Sequence, residues 1–572
     1  MGSPSVTSGI PIPTLMPVLR APPFPWADAA VSRPNEGSLA KANVDPETVF
    51  APLRAARVGG AFWGPVATIT DLPAKVLRPR DKADLAECRA HVASDGLWAA
   101  PRGLAGELSD QRLVPDHVDP WSVLPGAEAL VAHGDDEWVA IARIAGTPVH
   151  LLSSGRFGAL EDDAATLDDK VAQALLAARW RDPFTDAPST FEAVVDLLGL
   201  WRKALDANRA IAAASGMAWW KRQEIRRFLW HPQRPLHIVR SPAKALAVAR
   251  KAGGALAIWP SRVSPGLIGA ARQGGVPLVR VEDGFVRSVG LGVDLVPPSS
   301  VVVDAAGIHF DPADPSDLEG ILAGTNMSPA LLERARTLRD TIVAAGISKY
   351  SAGPDGEDAP ALPPRQFGKR LVLVPGQVGD DMSVQAGGGD LVAADAGNPN
   401  LELVRRARAL EPEAEIWFRP HPDVDAGHRK GAVPDAEILR HADRIVRGGG
   451  MAPLLDAIDA VHVLTSLTGF EALMRRREVT CHGTPFYAGW GLTRDLGQVP
   501  ERRTRRLALD ELVAGVLILY PRYLDPVTGL PCPPEVLVAR MADAGATGGT
   551  TGRLDWIAPL RRWQGRLMSS LR

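Results

Sequence analysis

From residue 237 onward the chain keeps one rhythm. Short apolar runs at 237–240, 255–259 and 277–281 alternate with helix-length amphipathic runs at 243–252 and 265–272. After a Gly-, Pro- and Asp-rich stretch at 351–366 the rhythm restarts, with strand-like runs at 370–374, 415–418, 460–464 and 478–481. Helical runs at 400–410, 451–457, 470–476 and 509–520 accompany them. Strands and helices that alternate through short loops close as parallel sheets covered by helices, so the fold class is α/β, in two successive units. Ligands of such sheets collect at the carboxyl ends of the strands. Polar motifs at strand ends on both sides of the linker predict a ligand in a cleft between the units.

The richest strand end runs from Pro277 to Gly292. An apolar run stops at two adjacent carboxylates, Glu282 and Asp283, and a glycine-punctuated loop carrying Arg287 and Ser288 follows. The plain alternative is a hairpin turn, because Asp283-Gly284 is a common turn pair. Strand-like runs at 300–304 and 307–310 and a long helix at 329–345 complete this unit, and a basic, Trp-rich helix over 216–230 precedes it.

In the second unit, Gly376-Gln377 follows the first strand, where a backbone must approach a nucleotide or turn tightly. It matches neither a Rossmann fingerprint nor a P-loop. Arg419-Pro420-His421-Pro422 puts a cation and an imidazole at the next strand end, and His428, Arg429 and Lys430 either enrich an anion site or solvate a loop. Thr465 to Gly469 opens a helix after an apolar strand, a place whose free amides suit a phosphate, with Ser466 and Thr468 adding hydroxyls. Thr468 to Glu471 also has capping-box spacing, which needs no ligand. Asp380-Asp381 lacks further ligand spacing, so no metal is expected.

Composition excludes several classes. A net charge of −2 over 572 residues gives no basic excess for nucleic acid. Three scattered cysteines (Cys88, Cys481, Cys532) fit neither zinc nor a disulfide framework. There is no signal-peptide pattern and no apolar run of the ~18 residues a membrane span needs. A cytoplasmic protein is expected. Residues 554–572 read as an amphipathic basic helix, either lying peripherally on an anionic inner membrane or docking on the protein itself.

The chain is expected to divide into an extended leader (1–40), a first α/β region (41–205), two units at 216–350 and 367–544, and a linker with tail (545–572). The first region carries a repeat. Leu167-Asp168, Val171-Ala172, Arg179-Trp180 and Asp182-Pro183-Phe184-Thr185 align with Leu509-Asp510, Val513-Ala514, Arg522-Tyr523 and Asp525-Pro526-Val527-Thr528. The stretch 121–152 parallels 454–486 in pattern. The earlier copy lacks the Glu-Asp-Gly stretch and the Ser/Thr loop, so it is expected to be a truncated, degenerate, structural module.

The ordered motifs of residues 281–292, 374–378, 419–422, 464–473, 483–493 and 517–526 resemble the capsule polysaccharide biosynthesis proteins of the KpsC/LpsZ type, the retaining β-Kdo glycosyltransferases. The resemblance covers about 216–544. It implies a GT-B-like pair of Rossmann-type domains, the first carrying the catalytic carboxylates on the acceptor side and the second holding the nucleotide sugar. It implies CMP-β-Kdo as donor, a glycolipid acceptor, and no cofactor or metal. Retention needs a carboxylate opposite the leaving group. Asp283 is then the candidate nucleophile, with Glu282 orienting it or taking the acceptor proton. Arg287 would hold the sugar carboxylate, and Ser288 is also placed in the donor site. His421, Ser466 and Thr468 would hold the phosphate and Glu471 the ribose, with Gly376, Gln377, Arg419, Lys430 and Gly469 completing the donor site. Another CMP-linked ulosonate as donor, or a non-catalytic capsule assembly scaffold, are the competing readings. Sequence leaves the oligomeric state open.

Overall fold

The computed structural model describes residues 18–33, 44–68, 74–92, 96–287, 297–348, 362–393 and 397–547. Ser288 and the tail 554–572 lie outside them, as does most of the 351–366 linker. The chain divides into two compact units, Met1–Arg209 with His231–Arg234, and Ala210–Trp230 with Pro235–Arg572.

The first unit holds five parallel strands, β1 (Lys75–Leu77), β2 (Gly96–Ala100), β3 (Arg112–Pro115), β4 (Ala129–Ala132) and β5 (Val149–Leu151), in the order β3-β2-β1-β4-β5. Leu77, Trp98, Leu104 and Val131 lie in its core. The first three strands escape the sequence reading, because Gly96–Ala100 is mostly small residues and the other two are very short. Residues 18–33 run across this unit as extended chain, with Phe24 edge-on to Trp201 at 5.2 Å and Arg20 paired to Glu137.

The sequence repeat folds as one turn made twice. Asp182 accepts the Phe184 amide (2.8 Å) and the Thr185 hydroxyl (2.9 Å), and Arg181 bridges to Pro188. Asp525 accepts the Val527 amide (3.3 Å) and the Thr528 hydroxyl (2.9 Å), and Leu524 pairs with Pro531. An aspartate that satisfies two donors of its own turn explains why this short sequence persists in both places.

The second unit contains two sheets. Its strands are β6 (Ile211–Ser215), β7 (His237–Ile238), β8 (Ala255–Ile258), β9 (Leu278–Asp283), β10 (Ser300–Asp304), β11 (Leu371–Pro375), β12 (Glu415–Arg419), β13 (Arg444–Ile445), β14 (Ala460–Val463), β15 (Glu478–Cys481), β16 (Arg494–Asp495), β17 (Pro521–Leu524) and β18 (Pro531–Cys532). One sheet runs β18-β17-β10-β9-β8-β6-β7, with β6 to β9 parallel and the other three antiparallel. The other runs β13-β12-β11-β14-β15-β16, all parallel. That is the 3-2-1-4-5-6 order of a dinucleotide-binding fold, with its switch point between β11 and β14. The fold is thus α/β with a GT-B-like pair of Rossmann-type sheets, preceded by a third α/β sheet.

Several details differ from expectation. The basic helix over 216–230 is shorter: β6 ends at Ser215, a 3-10 turn covers Trp219–Lys221, and the helix is Arg222–Phe228. Residues 307–310 form no strand. The Asp304 carboxylate, at the end of β10, takes the amides of Ala306 (3.0 Å), Gly307 (2.7 Å) and Asp317 (3.0 Å) and the Tyr520 hydroxyl (2.8 Å), which turns the chain away. Strands β17 and β18 follow the second sheet in sequence but pair into the first.

The two halves of this unit are joined by buried charge. Glu319 accepts from Arg502 (2.7 Å) and Arg503 (2.6 Å), and Arg503 also reaches the carbonyls of Pro485 and Ala488. A buried carboxylate without such partners would be strongly destabilising.

Candidate active site

At the carboxyl edge of the first sheet three adjacent parallel strands present one cluster. β9 ends in Glu282-Asp283, β8 is followed by Trp259, and β6 is followed by the turn that carries Lys221. Lys221 Nζ donates to Asp283 Oδ1 at 2.8 Å, and Arg287 Nε donates to Asp283 Oδ2 at 3.1 Å. The ammonium sits 3.7 Å from the centre of the Trp259 ring and 5.0 Å from that of Trp220, close enough for cation–π attraction. Burial lowers the Lys221 pKa from its ordinary value, and the Asp283 and Glu282 carboxylates oppose that shift.

Asp283-Gly284 is not a tight hairpin turn. Asp283 pairs with Val301 within the β9–β10 ladder, and the Gly284 amide continues it to the Ser300 carbonyl (3.0 Å). A Cβ at Gly284 would lie 2.2 Å from Ser300 Oγ and 3.1 Å from the Ser300 carbonyl carbon, so the close strand approach demands glycine. Neighbouring residues of a strand face opposite ways. Glu282 accordingly turns its carboxylate back to the Asp283 amide (3.1 Å) while both cations go to Asp283.

The second cluster lies at the β11/β14 switch point. Gln377, after β11, and Thr465, after β14, clasp each other: Gln377 Nε2 donates to Thr465 Oγ1 (3.0 Å) and the Thr465 amide donates to Gln377 Oε1 (2.9 Å). Asn400 braces the same loop, accepting the Gln377 amide (2.8 Å) and donating to the carbonyls of Gln377 and Gly431. The Gly376 amide donates to the Arg419 carbonyl (2.7 Å), a Cβ at Gly376 would lie 3.4 Å from the His421 nitrogen, and the Gly379 amide reaches the Lys430 carbonyl (2.9 Å). The sequence motifs after β11, β12 and β14 therefore converge.

Each side chain has its own placement. His421 Nδ1 accepts the Asp423 amide at 3.2 Å, which leaves the proton of the neutral ring on Nε2. The Arg419 guanidinium is engaged by the carbonyls of Gly448 and Gly449, and the Lys430 side chain is exposed. Ser466, rather than Thr468, caps the helix Leu467–Met474, accepting the Thr468 amide (3.2 Å) and donating to the Thr468 hydroxyl (3.0 Å). The helix therefore starts two residues earlier than the capping-box spacing suggests. Thr468 and Glu471 are buried inside it, and Gly469 allows the Tyr487 hydroxyl to reach the Ser466 carbonyl.

Phe285 brings the two clusters together. Two residues past Asp283, its ring centre lies 4.8 Å from that of Phe486 and 6.4 Å from that of Phe470, which sits between Gly469 and Glu471. The Glu-Asp-Gly strand end is thus packed against the Ser466 helix. Lys221, Trp259, Asn400 and Tyr487 escape the sequence reading. Two of them left a signal there, Lys221 as the first charge of a basic run and Tyr487 as a member of the 483–493 motif, but neither pattern gives them a role.

The corresponding place in the first unit's sheet is chemically different. After β4, Asp136 caps the helix Glu137–Ala145 and pairs with Arg78 (2.9 Å), and Glu137 pairs with Arg20 (2.8 Å). The positive end of this helix is thus taken up by the protein's own carboxylates, each already paired with an arginine, and Asp136 also accepts the Trp138 amide.

Residues 254–523 match the family model described as capsule polysaccharide biosynthesis protein. The capsule polysaccharide modification protein LipA of Neisseria meningitidis is 38% identical over 351 residues, 61% of this chain and 48% of that protein. The lipopolysaccharide-processing protein LpsZ of Rhizobium meliloti is 46% identical over 257 residues, 44% of this chain and 56% of that protein. A solved KpsC structure from Thermosulfurimonas dismutans, described as a beta Kdo 2,4 transferase, is 32% identical with a TM-score of 0.50, over 58% of this chain and 98% of that one. The chain belongs to the capsule polysaccharide biosynthesis proteins of the KpsC/LpsZ type. It spans about half the length of LipA and LpsZ. The family match begins one residue before β8 and ends in β17, so in this KpsC/LpsZ-type chain it covers Trp259, Glu282, Asp283, Arg287 and the switch-point cluster, and leaves out Lys221, Trp220 and the first unit.

Proposed function

We propose that this protein is a retaining glycosyltransferase that moves Kdo from CMP-β-Kdo to a glycolipid acceptor in capsule biosynthesis. The observation that carries this reading is the packing of Phe285 on Phe470 and Phe486. It sets a carboxylate held by two cations against the switch point of a nucleotide-type sheet. The KpsC relative, described as a beta Kdo 2,4 transferase, suggests Kdo as the transferred sugar, and the names of LipA and LpsZ suggest capsule or lipopolysaccharide as the setting.

In the proposed mechanism an Asp283 oxygen attacks the anomeric carbon, the bond to the phosphate oxygen breaks, and CMP leaves with the bonding pair. The acceptor hydroxyl then displaces Asp283 with a second inversion and passes its proton to a carboxylate, for which Glu282 is the candidate. Lys221 and Arg287 orient Asp283, and Arg287 is placed to exchange that contact for the sugar carboxylate. Protein donors receive the CMP phosphate: the Nε2–H of His421, Ser466, Thr468 and the amides that open the Leu467–Met474 helix. With the charge met this way no metal is required, and chelation by EDTA is expected to leave the rate unchanged. The first unit is proposed to be structural. Among the described residues no helix is long and apolar enough to cross a membrane. Action at the cytoplasmic membrane face through residues 554–572 belongs to the same proposal, and removing them is expected to reduce sedimentation with anionic vesicles.

The test is incubation with CMP-Kdo, generated in situ, and a Kdo-terminated lipid. CMP release matched by a lipid-linked product of retained configuration is expected. No turnover of CMP-Kdo by the wild type would defeat the reading. Turnover of a CMP-sialic acid instead would reassign the donor.

A further inference from the structure

Every described tryptophan of this chain is buried or half-buried except Trp219, which is 59% exposed. It stands in the turn Trp219–Lys221 that follows β6, on the same sheet edge as Asp283. Its neighbour Trp220 faces both cations that hold Asp283, with Lys221 Nζ 5.0 Å and Arg287 Cζ 5.9 Å from the ring centre. The turn is therefore anchored to the carboxylate by Lys221 and presents the Trp219 indole to solvent two residues from that anchor.

A single exposed indole needs no cover by itself, but one carried on a turn that is tied to a carboxylate–cation cluster offers a rigid apolar plane to a ligand of that cluster. The nucleotide-type site lies on the other sheet and the donor sugar reaches Asp283 from that side, so the Trp219 side of this edge is left for the second substrate. A sugar ring offers an apolar C–H face that fits an aromatic plane, and aromatic side chains with a few convergent polar groups are the usual lining of such sites. The cations over Trp220 favour a sugar that carries a carboxylate.

Resting on the transferase reading above, we propose that the Trp219-Trp220 turn is the acceptor subsite, a stacking platform for the terminal acidic sugar of the acceptor. Trp219 covers the ring, and the Lys221/Arg287 pair supplies the field that selects its charge.

The test compares wild type, Trp219→Ala and Trp219→Phe in the full chain, using a lipid-free β-Kdo glycoside as probe. Calorimetric titration without donor reads binding alone. Trp219→Ala is expected to weaken the glycoside at least tenfold and Trp219→Phe by less, and a neutral glycoside of similar size is expected to bind wild type more weakly than the acidic one. In turnover the Trp219→Ala change is expected in the acceptor KM, with the donor KM within twofold of wild type. Unchanged glycoside affinity in Trp219→Ala, or a donor KM that rises as much as the acceptor KM, overturns the proposal. If wild type binds the glycoside through Trp219 but does not turn over CMP-Kdo, the transferase reading fails while the subsite stands.

Discussion

Lys221 Nζ lies 2.8 Å from Asp283 Oδ1 across 62 residues of sequence. The ammonium is almost completely enclosed, with Trp259 beneath it and Asp283 as its ion-pair partner. Removing one partner of an enclosed pair frees the other to move, and a misplacement of about 1 Å near the chemistry can lower a rate ~100-fold. Lys221→Met is expected to reduce kcat by about that factor, with little change in donor KM. Lys221→Arg should restore part of it. Burial lowers the lysine pKa, so the ion pair loses its charge before an ordinary lysine would, and the alkaline limb of the kcat profile should sit correspondingly low. A guanidinium stays charged there, so Lys221→Arg should move that limb upward. An unmoved limb would separate Lys221 from the chemistry.

Gly284 tests the strand geometry that presents Asp283. A methyl group would meet Ser300 Oγ at 2.2 Å, Ser300 Cβ at 2.8 Å and the Ser300 carbonyl carbon at 3.1 Å. The last two cannot swing aside, so β9 and β10 must separate locally. Gly284→Ala is expected to destabilise the protein by about 1–3 kcal/mol, the usual range for overpacking, read as a lower denaturation midpoint. Activity should fall further than stability, because the displaced residue adjoins Asp283.

The α/β alternation and both strand-edge motifs were legible because β8, β9, β11, β12, β14 and β15 are apolar runs bounded by glycine, proline or charge. Ile211–Ser215 was not, since four of its five residues are alanine or serine and carry no strand signature. Missing it hid Lys221, which read as one more charge on a basic helix. The return of β17 to the first sheet is equally silent in sequence, because pairing partners more than two hundred residues apart leave no local pattern. The placement of Ser466 as cap was also ambiguous: Thr465, Ser466 and Thr468 are all capping residues, and the Gln377 clasp on Thr465 decides between them.

That clasp gives a third prediction. Gln377→Ala removes both hydrogen bonds across the switch point, which takes the side-chain acceptor from the Thr465 amide and leaves the Thr465 hydroxyl only its 3.5 Å contact to Ser383. An orphaned buried donor costs roughly 1–3 kcal/mol. Stability should fall by about that amount, and donor KM should rise because the loops after β11 and β14 lose their common tie. An unaltered donor KM alongside reduced stability would make the clasp purely structural.

The last prediction concerns pH. His462 on β14 and His482 just beyond β15 are both buried, with His462 Nδ1 3.0 Å from His482 Nε2. One ring donates and the other accepts, so the accepting ring is neutral and the two cannot both be protonated while the bond is kept. Burial and the mutual repulsion of the rings hold His462 at about 3, and burial with the Arg406 charge holds His482 at about 4, against an ordinary 6.5. The folded pKa values are depressed, so below pH 6.5 the unfolded chain takes up protons that the folded chain refuses. Stability therefore decreases as pH falls from about 6.5 toward 4, by up to about 1.4 kcal/mol per histidine per pH unit, and the loss levels off once the folded rings titrate. Urea denaturation at pH 7.5, 6 and 5 should show this decline in the wild type. His482→Gln keeps a hydrogen-bonding group beside His462 but cannot take up a proton, so its decline should be shallower. A slope equal to that of the wild type would remove the pair as the source of the acid sensitivity.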